Sequence, residues 1–421
     1  VTVLRAIQID DLRAYRRVAA SFGTGPQLVW GPNAAGKTSL IEAIVLLAWG
    51  RSHRTTTDAD LVRWGAPFSR IEGLVAAGPG AIEPGAAGSA GAAGSERRPP
   101  VAVEVVVARS GAGTRKRIRV DGVGRRASGL GGVLRVVVFA PEEMLLVVGP
   151  PSLRRDVLDR LAGQLVPAYA DDLATYGRAV SQRNQLLRQV RDEGADRTQL
   201  RFWTESCIEL GAALVAGRLR VLEALAGPLA AAHRLIAPEE AVLGVLGLDY
   251  RTTAPPRAGE SLRDALRRRF AETAEKELWN GTTLIGPHRD DVAFVLGGRD
   301  LAGFASRGQQ RTAILALKLA ELDLLAGFDG RPPLLLLDDV FSELDPDRRA
   351  HLVRRIGELP QAFVTTTSVE DLDGELVRSA TAWRVVPQPD GACLVGPGSA
   401  DDPDLDPAGP RLTVDDPVIA R

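Results

Sequence analysis

The chain has 421 residues, 45% hydrophobic and 25% charged, an ordinary balance for a water-soluble protein and enough for a sizeable core. A formal net charge of −1 excludes a polycation, so any nucleic-acid site must be a local patch. No apolar run approaches the ~20 residues of a membrane span, no signal-peptide pattern opens the chain, and Cys207 and Cys393 lack metal-ligand spacing; a reduced, cytoplasmic protein is expected.

Residues 1–75 read as short strands around one helix. Leu28-Val29-Trp30 forms a buried strand leading into Gly31-Pro32-Asn33-Ala34-Ala35-Gly36-Lys37-Thr38. Leu40, Ile44, Leu47 and Ala48 then mark one apolar helix face, and Gly50 is placed to end the helix. Residues 76–100 are rich in Gly, Ala, Pro and Ser, with too little large apolar surface to offset ordering, and are expected to be a disordered insertion. Val101–Val107 and Val133–Phe139 read as β-branched strands. Long helices follow from about Pro151 to Ala237 and again over Leu262–Trp279, and strand-like segments resume at Thr282. Leu334–Leu337 reads as a fully buried strand, Ala362–Thr367 as a strand ending in hydroxyls, and residues 387–421 as a flexible acidic tail.

Strand, glycine loop and helix are the setting of a Walker A loop, whose backbone N–H groups and helix N-terminus attract phosphates. Gly31, Pro32, Asn33, Ala34, Ala35 and Gly36 would cradle ATP, Lys37 would reach its β- and γ-phosphates, and Thr38 would ligate Mg²⁺. The apolar run ending in Asp338 and Asp339 has the form of a Walker B strand: Asp338 would hold Mg²⁺, and Asp339 would orient the attacking water. Ser306-Arg307-Gly308-Gln309-Gln310 opens an amphipathic helix upstream of Asp338 and offers a second anion site. A simple capping serine would explain it locally, but two phosphate-directed helix starts are redundant for one nucleotide unless the second faces ATP on another copy. Ser342-Glu343-Leu344-Asp345-Pro346 follows, and Asp345 with Pro346 also makes an ordinary helix cap.

This order of motifs is that of ABC-type ATPases, and the chain resembles the RecF family of bacterial recombination mediators. Beyond the nucleotide motifs, the resemblance rests on Arg51-Ser52-His53-Arg54-Thr55, Phe139-Ala140-Pro141-Glu142-Glu143 and Pro151-Ser152-Leu153-Arg154-Arg155. It also includes Gln182-Arg183-Asn184 and Thr283-Leu284-Ile285-Gly286-Pro287-His288-Arg289-Asp290-Asp291. It implies an α/β fold, an ABC-type P-loop ATPase head with an inserted helical arm: head over 1–141 and 282–386, arm over 142–281. It implies a slow, DNA-stimulated ATPase that dimerises on ATP, binds duplex DNA near single-strand gaps, and works with RecO and RecR in loading RecA. Ser306, Gly308 and Gln309 would contact the partner's γ-phosphate, and Asp345 would support the dimer seam. Three positions depart from the expected pattern. Ala34 stands where the family usually has glycine, Asp339 is one methylene shorter than the glutamate of transporter-type relatives, and Thr367 replaces the switch histidine of many ABC proteins.

For DNA, the basic clusters Arg51/His53/Arg54 and Arg115/Lys116/Arg117/Arg119 are candidate phosphate contacts, with Arg115, Arg117 and Arg119 on one side of a strand; Arg125/Arg126 form a third cluster. The usual alternative for such runs is a solvated face. Competing functions are the ATPase subunit of a membrane transporter or another ABC-type machine, and a nuclease-linked ATPase. The long helical insertion argues against the first, and the short Pro/Asp tail cannot form the metal-binding domain the second needs.

Overall fold

The protein is described from a computed structural model covering residues 2–77, 99–111, 113–370 and 372–397. In chain order, β1 (Thr2–Leu12), β2 (Tyr15–Ser21) and β3 (Gly25–Trp30) lead into α1 (Lys37–Trp49). Then come β4 (Phe68–Ala77), β5 (Val101–Ser110), β6 (Gly113–Val120), β7 (Val123–Arg125) and β8 (Val136–Phe139). The arm contributes α2 (Pro151–Leu165), α3 (Pro167–Glu193), α4 (Leu200–Ile236), β9 (Leu246–Arg251) and α5 (Leu262–Asn280). The chain returns through β10 (Asp291–Leu296), β11 (Arg299–Asp300), α6 (Leu301–Phe304), α7 (Arg307–Asp329), β12 (Leu334–Asp338) and α8 (Pro346–Glu358). It closes with β13 (Gln361–Thr366), α9 (Gly374–Ser379), β14 (Thr381–Gln388) and β15 (Gly391–Val395).

Twelve strands form one sheet in the order β7-β6-β5-β4-β1-β2-β15-β14-β3-β13-β12-β8. The half from β7 to β2 is antiparallel, and β14, β3, β13, β12 and β8 run parallel. The alternation of side chains along β12 splits the core in two. Leu334 and Leu336 pack with α1, whereas Leu335 and Leu337 pack with α7 and the arm helices. The P-loop helix and the signature helix therefore cover opposite faces of the parallel strands. The domain built on the twelve-stranded sheet and the inserted helices share the second of these cores without a break.

Four expectations need correction. The strand foreseen over Val133–Phe139 begins only at Val136, and the one foreseen from Thr282 begins at Asp291, because residues 282–290 spend their polar groups on the arm. The arm is not wholly helical, since β9 pairs with β10 in a separate three-stranded sheet. The acidic tail does not start at Pro387. The chain turns at Gly391 and returns as β15, which buries Ala392 and Leu394 and joins β2 to β14. Most of the foreseen insertion (residues 78–98) and the end of the chain from residue 398 lie outside the described residues.

Three sequence blocks without an obvious chemical role meet at the junction of arm and head. Arg183 reaches the Thr283 hydroxyl at 2.9 Å and buried Glu277 at 2.7 Å, while Asn184 Oδ1 accepts from the Thr283 backbone and hydroxyl at 2.7 Å. Arg154 grips Asp291 bidentately at 2.8 and 2.9 Å, and Arg155 donates to the Asp290 carbonyl at 2.7 Å. His288 bonds the Tyr176 hydroxyl through Nδ1 at 2.7 Å and faces the Thr283 carbonyl through Nε2 at 3.2 Å. These charge-assisted bonds fix the route by which the chain leaves the arm.

Burial, with repulsion from Arg289, Arg155 and Arg183, pushes the His288 imidazole from 6.5 down to about 4. The folded protein thus excludes a proton that the unfolded chain takes up near 6.5. The stability from neutral His288 is complete above that pH and is lost as pH falls toward 4. The melting temperature should decline across this window, with a shallower decline in His288→Gln; equal slopes in the two proteins would contradict this account.

Candidate nucleotide-binding site

Parallel strands β3, β13 and β12 end side by side, with Trp30 opposite Thr366 and Thr365 opposite Asp338. Their loops gather at the carboxyl edge of the sheet, where phosphate sites form in α/β proteins. Gly31 leaves β3 in close contact with β14; a Cβ there would lie 2.5 Å from the Val385 carbonyl oxygen. Ala34 has φ 60°, in the left-handed region that costs a residue with a Cβ roughly 1–2 kcal/mol. Gly36 caps α1, a helix buried along nearly its whole length.

Lys37 curls over this loop, donating to the carbonyls of Gly31 at 2.8 Å and Pro32 at 2.9 Å. Burial lowers its pKa, and the nearby charges of Asp339 and Asp338 oppose that shift. Thr38 donates to Asp338 Oδ1 at 3.1 Å, so the two motifs, hundreds of residues apart, meet directly. Thr365 completes the junction: its hydroxyl donates to Asp338 Oδ1 at 2.7 Å and accepts from the Asp339 backbone at 2.9 Å. A hydroxyl beside a carboxylate is the hard-oxygen donor set that Mg²⁺ prefers, and the loop and its lysine suit a triphosphate. Asp339 has φ 53°, a strained backbone that sets the residue apart from the buried Asp338.

The signature serine lies elsewhere. Ser306 is exposed and forms a full capping box: its hydroxyl accepts from the Gln309 backbone at 3.2 Å, and Gln309 Oε1 accepts from the Ser306 backbone at 3.0 Å. Gly308 is open on its solvent side, where an added Cβ would touch little. Asp345 caps α8, accepting from the Arg348 backbone at 3.0 Å and pairing with its guanidinium. Burial opposes charge on Asp345, but those bonds outweigh it and hold its carboxyl below the ordinary range. Arg348 also donates to Thr312 of α7 at 2.8 Å, tying the Asp345 turn to the signature helix.

The basic candidates separate. His53 requires correction as a phosphate contact: both ring nitrogens are shielded from solvent, and burial pushes its pKa to about 4, so it is neutral. Arg51 is half-exposed and pairs with Asp156 at 2.9 Å, and Arg54 sits between Glu142 and buried Glu42. Arg115 is exposed on β6; Arg117 and Arg119 are partly covered, and Arg119 lies 3.6 Å from Glu104. Sequence reasoning missed Thr365, whose only signal was a run of threonines ending a strand. It also missed a buried ionic chain in which Glu143 joins Arg160 at 2.7 Å to Lys318 at 3.0 Å, and Lys318 joins Glu321 at 3.0 Å.

The chain matches the family model described as the RecF/RecN/SMC N-terminal domain over residues 3–381. It is 37% identical over 390 residues to the DNA replication and repair protein RecF of Bacillus subtilis (strain 168), covering 91% of this chain and 98% of that one. Against the protein of the same name from Symbiobacterium thermophilum, identity is 39% over 375 residues, covering 88% and 92%. A solved structure of the recombination mediator protein RecF with ATP, in the RecFOR pathway, superposes with a TM-score of 0.78 at 29% identity, covering 94% of this chain and 98% of that one.

Glycine tolerates the left-handed conformation that Ala34 adopts, so Ala34→Gly should raise stability by about 1 kcal/mol, read as a higher urea midpoint at unchanged slope. A lower midpoint would show that the Ala34 methyl group contributes more through packing than it costs in strain.

Proposed function

The chain belongs to the RecF family, and from that premise we propose that this DNA replication and repair mediator is an ATP-gated clamp on duplex DNA near single-strand gaps. One observation carries the reading. Lys37, Thr38 and Asp338 come together within one chain, whereas Ser306 caps a helix on the opposite face of the sheet and, among the described residues, bonds only its own first turn. A single copy therefore assembles one phosphate cradle and leaves a second phosphate-directed helix start unused, which a second copy would complete.

In this reading ATP lies along Gly31–Thr38, with Lys37 against its β- and γ-phosphates. Thr38 and Asp338 hold Mg²⁺, which would neutralise charge on the phosphates. Asp339 orients the attacking water; its short side chain, on a strained backbone, suits slow hydrolysis that times release. Ser306, Gly308 and Gln309 of each copy face the other's γ-phosphate, and the Asp345 cap supports the seam. Arg51, Arg54, Arg115, Arg117 and Arg119 supply sequence-independent, salt-sensitive contacts to DNA phosphates. RecO and RecR are the expected protein partners, with RecA served indirectly, in the bacterial cytoplasm. No helix among the described residues is long and apolar enough to cross a membrane.

Sedimentation on gapped DNA should show a dimer with ATP and a monomer without it, and DNA affinity should rise at least tenfold with ATP. A protein that stays monomeric with unchanged DNA affinity would refute the clamp. Ser306→Arg should abolish dimerisation while retaining ATP binding; loss of ATP binding would mean that the serine acts within its own chain.

A further inference from the structure

A cleft of about 830 Å³ opens between the edge hairpin β6–β7, the end of α1, and arm helices α2 and α3. Its volume lies within the range of small-molecule sites, roughly 300–1,000 Å³. Six cations line it: Arg51, Lys116, Arg125 and Arg126 on the head side, and Arg160 and Arg178 on the arm side. Two carboxylates also line it, and both are engaged. Asp159 is held bidentately by Arg218 at 2.8 and 2.9 Å, and Asp171 accepts from Ser128 at 2.9 Å and lies 3.8 Å from Arg126. Lys116 pairs with Asp58 at 2.7 Å, Arg51 with Asp156 at 2.9 Å and Arg160 with Glu143 at 2.7 Å. Arg125 and Arg178 are exposed and have no carboxylate partner among the described residues; Arg178 donates only to the Thr175 hydroxyl at 3.0 Å.

Trp49 adds an aromatic wall. The Arg160 guanidinium stacks over its ring at 4.8 Å, and its indole N–H is shielded from solvent without a hydrogen-bond partner among the described residues. Arg125 and Arg178 on facing walls, with the part of the Trp49 ring that lines the cleft, match a nucleotide: phosphate oxygens for the arginines and a base for the ring. The cleft is too small for paired duplex, where both strands would have to enter together. An unpaired nucleotide enters without the cost of breaking a base pair.

We propose that this cleft binds the first unpaired nucleotide of DNA at a duplex–single-strand junction, so that the head and arm of one chain sense the gap itself. The inference rests on the DNA-clamp reading and deepens it. Contact with Arg160 also places the nucleotide one ion pair from Glu143, and two from the signature-helix lysine Lys318.

The test compares gapped and continuous duplexes of equal length, with and without ATP, for the wild-type chain, Arg125→Gln/Arg126→Gln and Arg178→Gln. These exposed positions on opposite walls should each lose at least fivefold affinity for gapped DNA and less than twofold for continuous duplex. In addition, 2-aminopurine at the first unpaired position should change fluorescence on binding wild type, and much less on binding either variant. Equal losses on both DNAs, an effect from one wall alone, or no response of the probe in wild type would overturn the proposal. The cleft forms within one chain, so the comparison without ATP tests it even if ATP proves not to control DNA affinity, a result that would sink the clamp and not the cleft.

Discussion

Strand β12 has no solvent face. Leu334 and Leu336 are held by α1 on one side, Leu335 and Leu337 by α7 on the other, and full burial of each leucine is worth about 1.5–3 kcal/mol. A five-residue strand clamped from both sides has no freedom to slide, because a one-residue slip would exchange its two hydrophobic sets. Its last residue, Asp338, is therefore delivered to a fixed point beside Thr38 and Thr365. The same clamp sets how far the P-loop helix stands from the signature helix.

The chemistry of the head was legible because its motifs are local. A glycine loop between strand and helix, acids ending an apolar strand, and a serine opening an amphipathic helix each declare themselves within about ten residues. What escaped notice depends on partners distant in sequence. His53 reads as one of a basic triplet, yet the fold turns both its nitrogens inward while its neighbours Arg51 and Arg54 reach acids. The chain from Pro387 has the composition of a tail, but β14 extends through Gln388, and the edges of β2 and β14 recruit Gly391–Val395 as a further strand. Thr365 could not be told from Thr366 or Thr367 without knowing which of them faces Asp338.

The buried charges illustrate a second limit. Glu143, Arg160 and the α7 pair Lys318 and Glu321 lie on three separate segments of sequence, and only the folded chain shows them as one line. Such pairs add little net stability, since desolvation offsets much of their attraction, but breaking one leaves a charge stranded. Burial, countered by Lys318, raises the Glu321 pKa. The arrangement fixes geometry between the loop after β8, arm helix α2 and helix α7.

The twelve-stranded sheet is also less uniform than its strand count suggests. Its antiparallel and parallel halves are stitched by β15, which meets β2 at a single paired position, Ala392 opposite Tyr15. A chain ending before Gly391 would leave both β2 and β14 with open backbone donors and acceptors, the condition under which sheets recruit neighbouring molecules. The short β14–β15 hairpin thus covers sheet edges through which other molecules could otherwise add as strands.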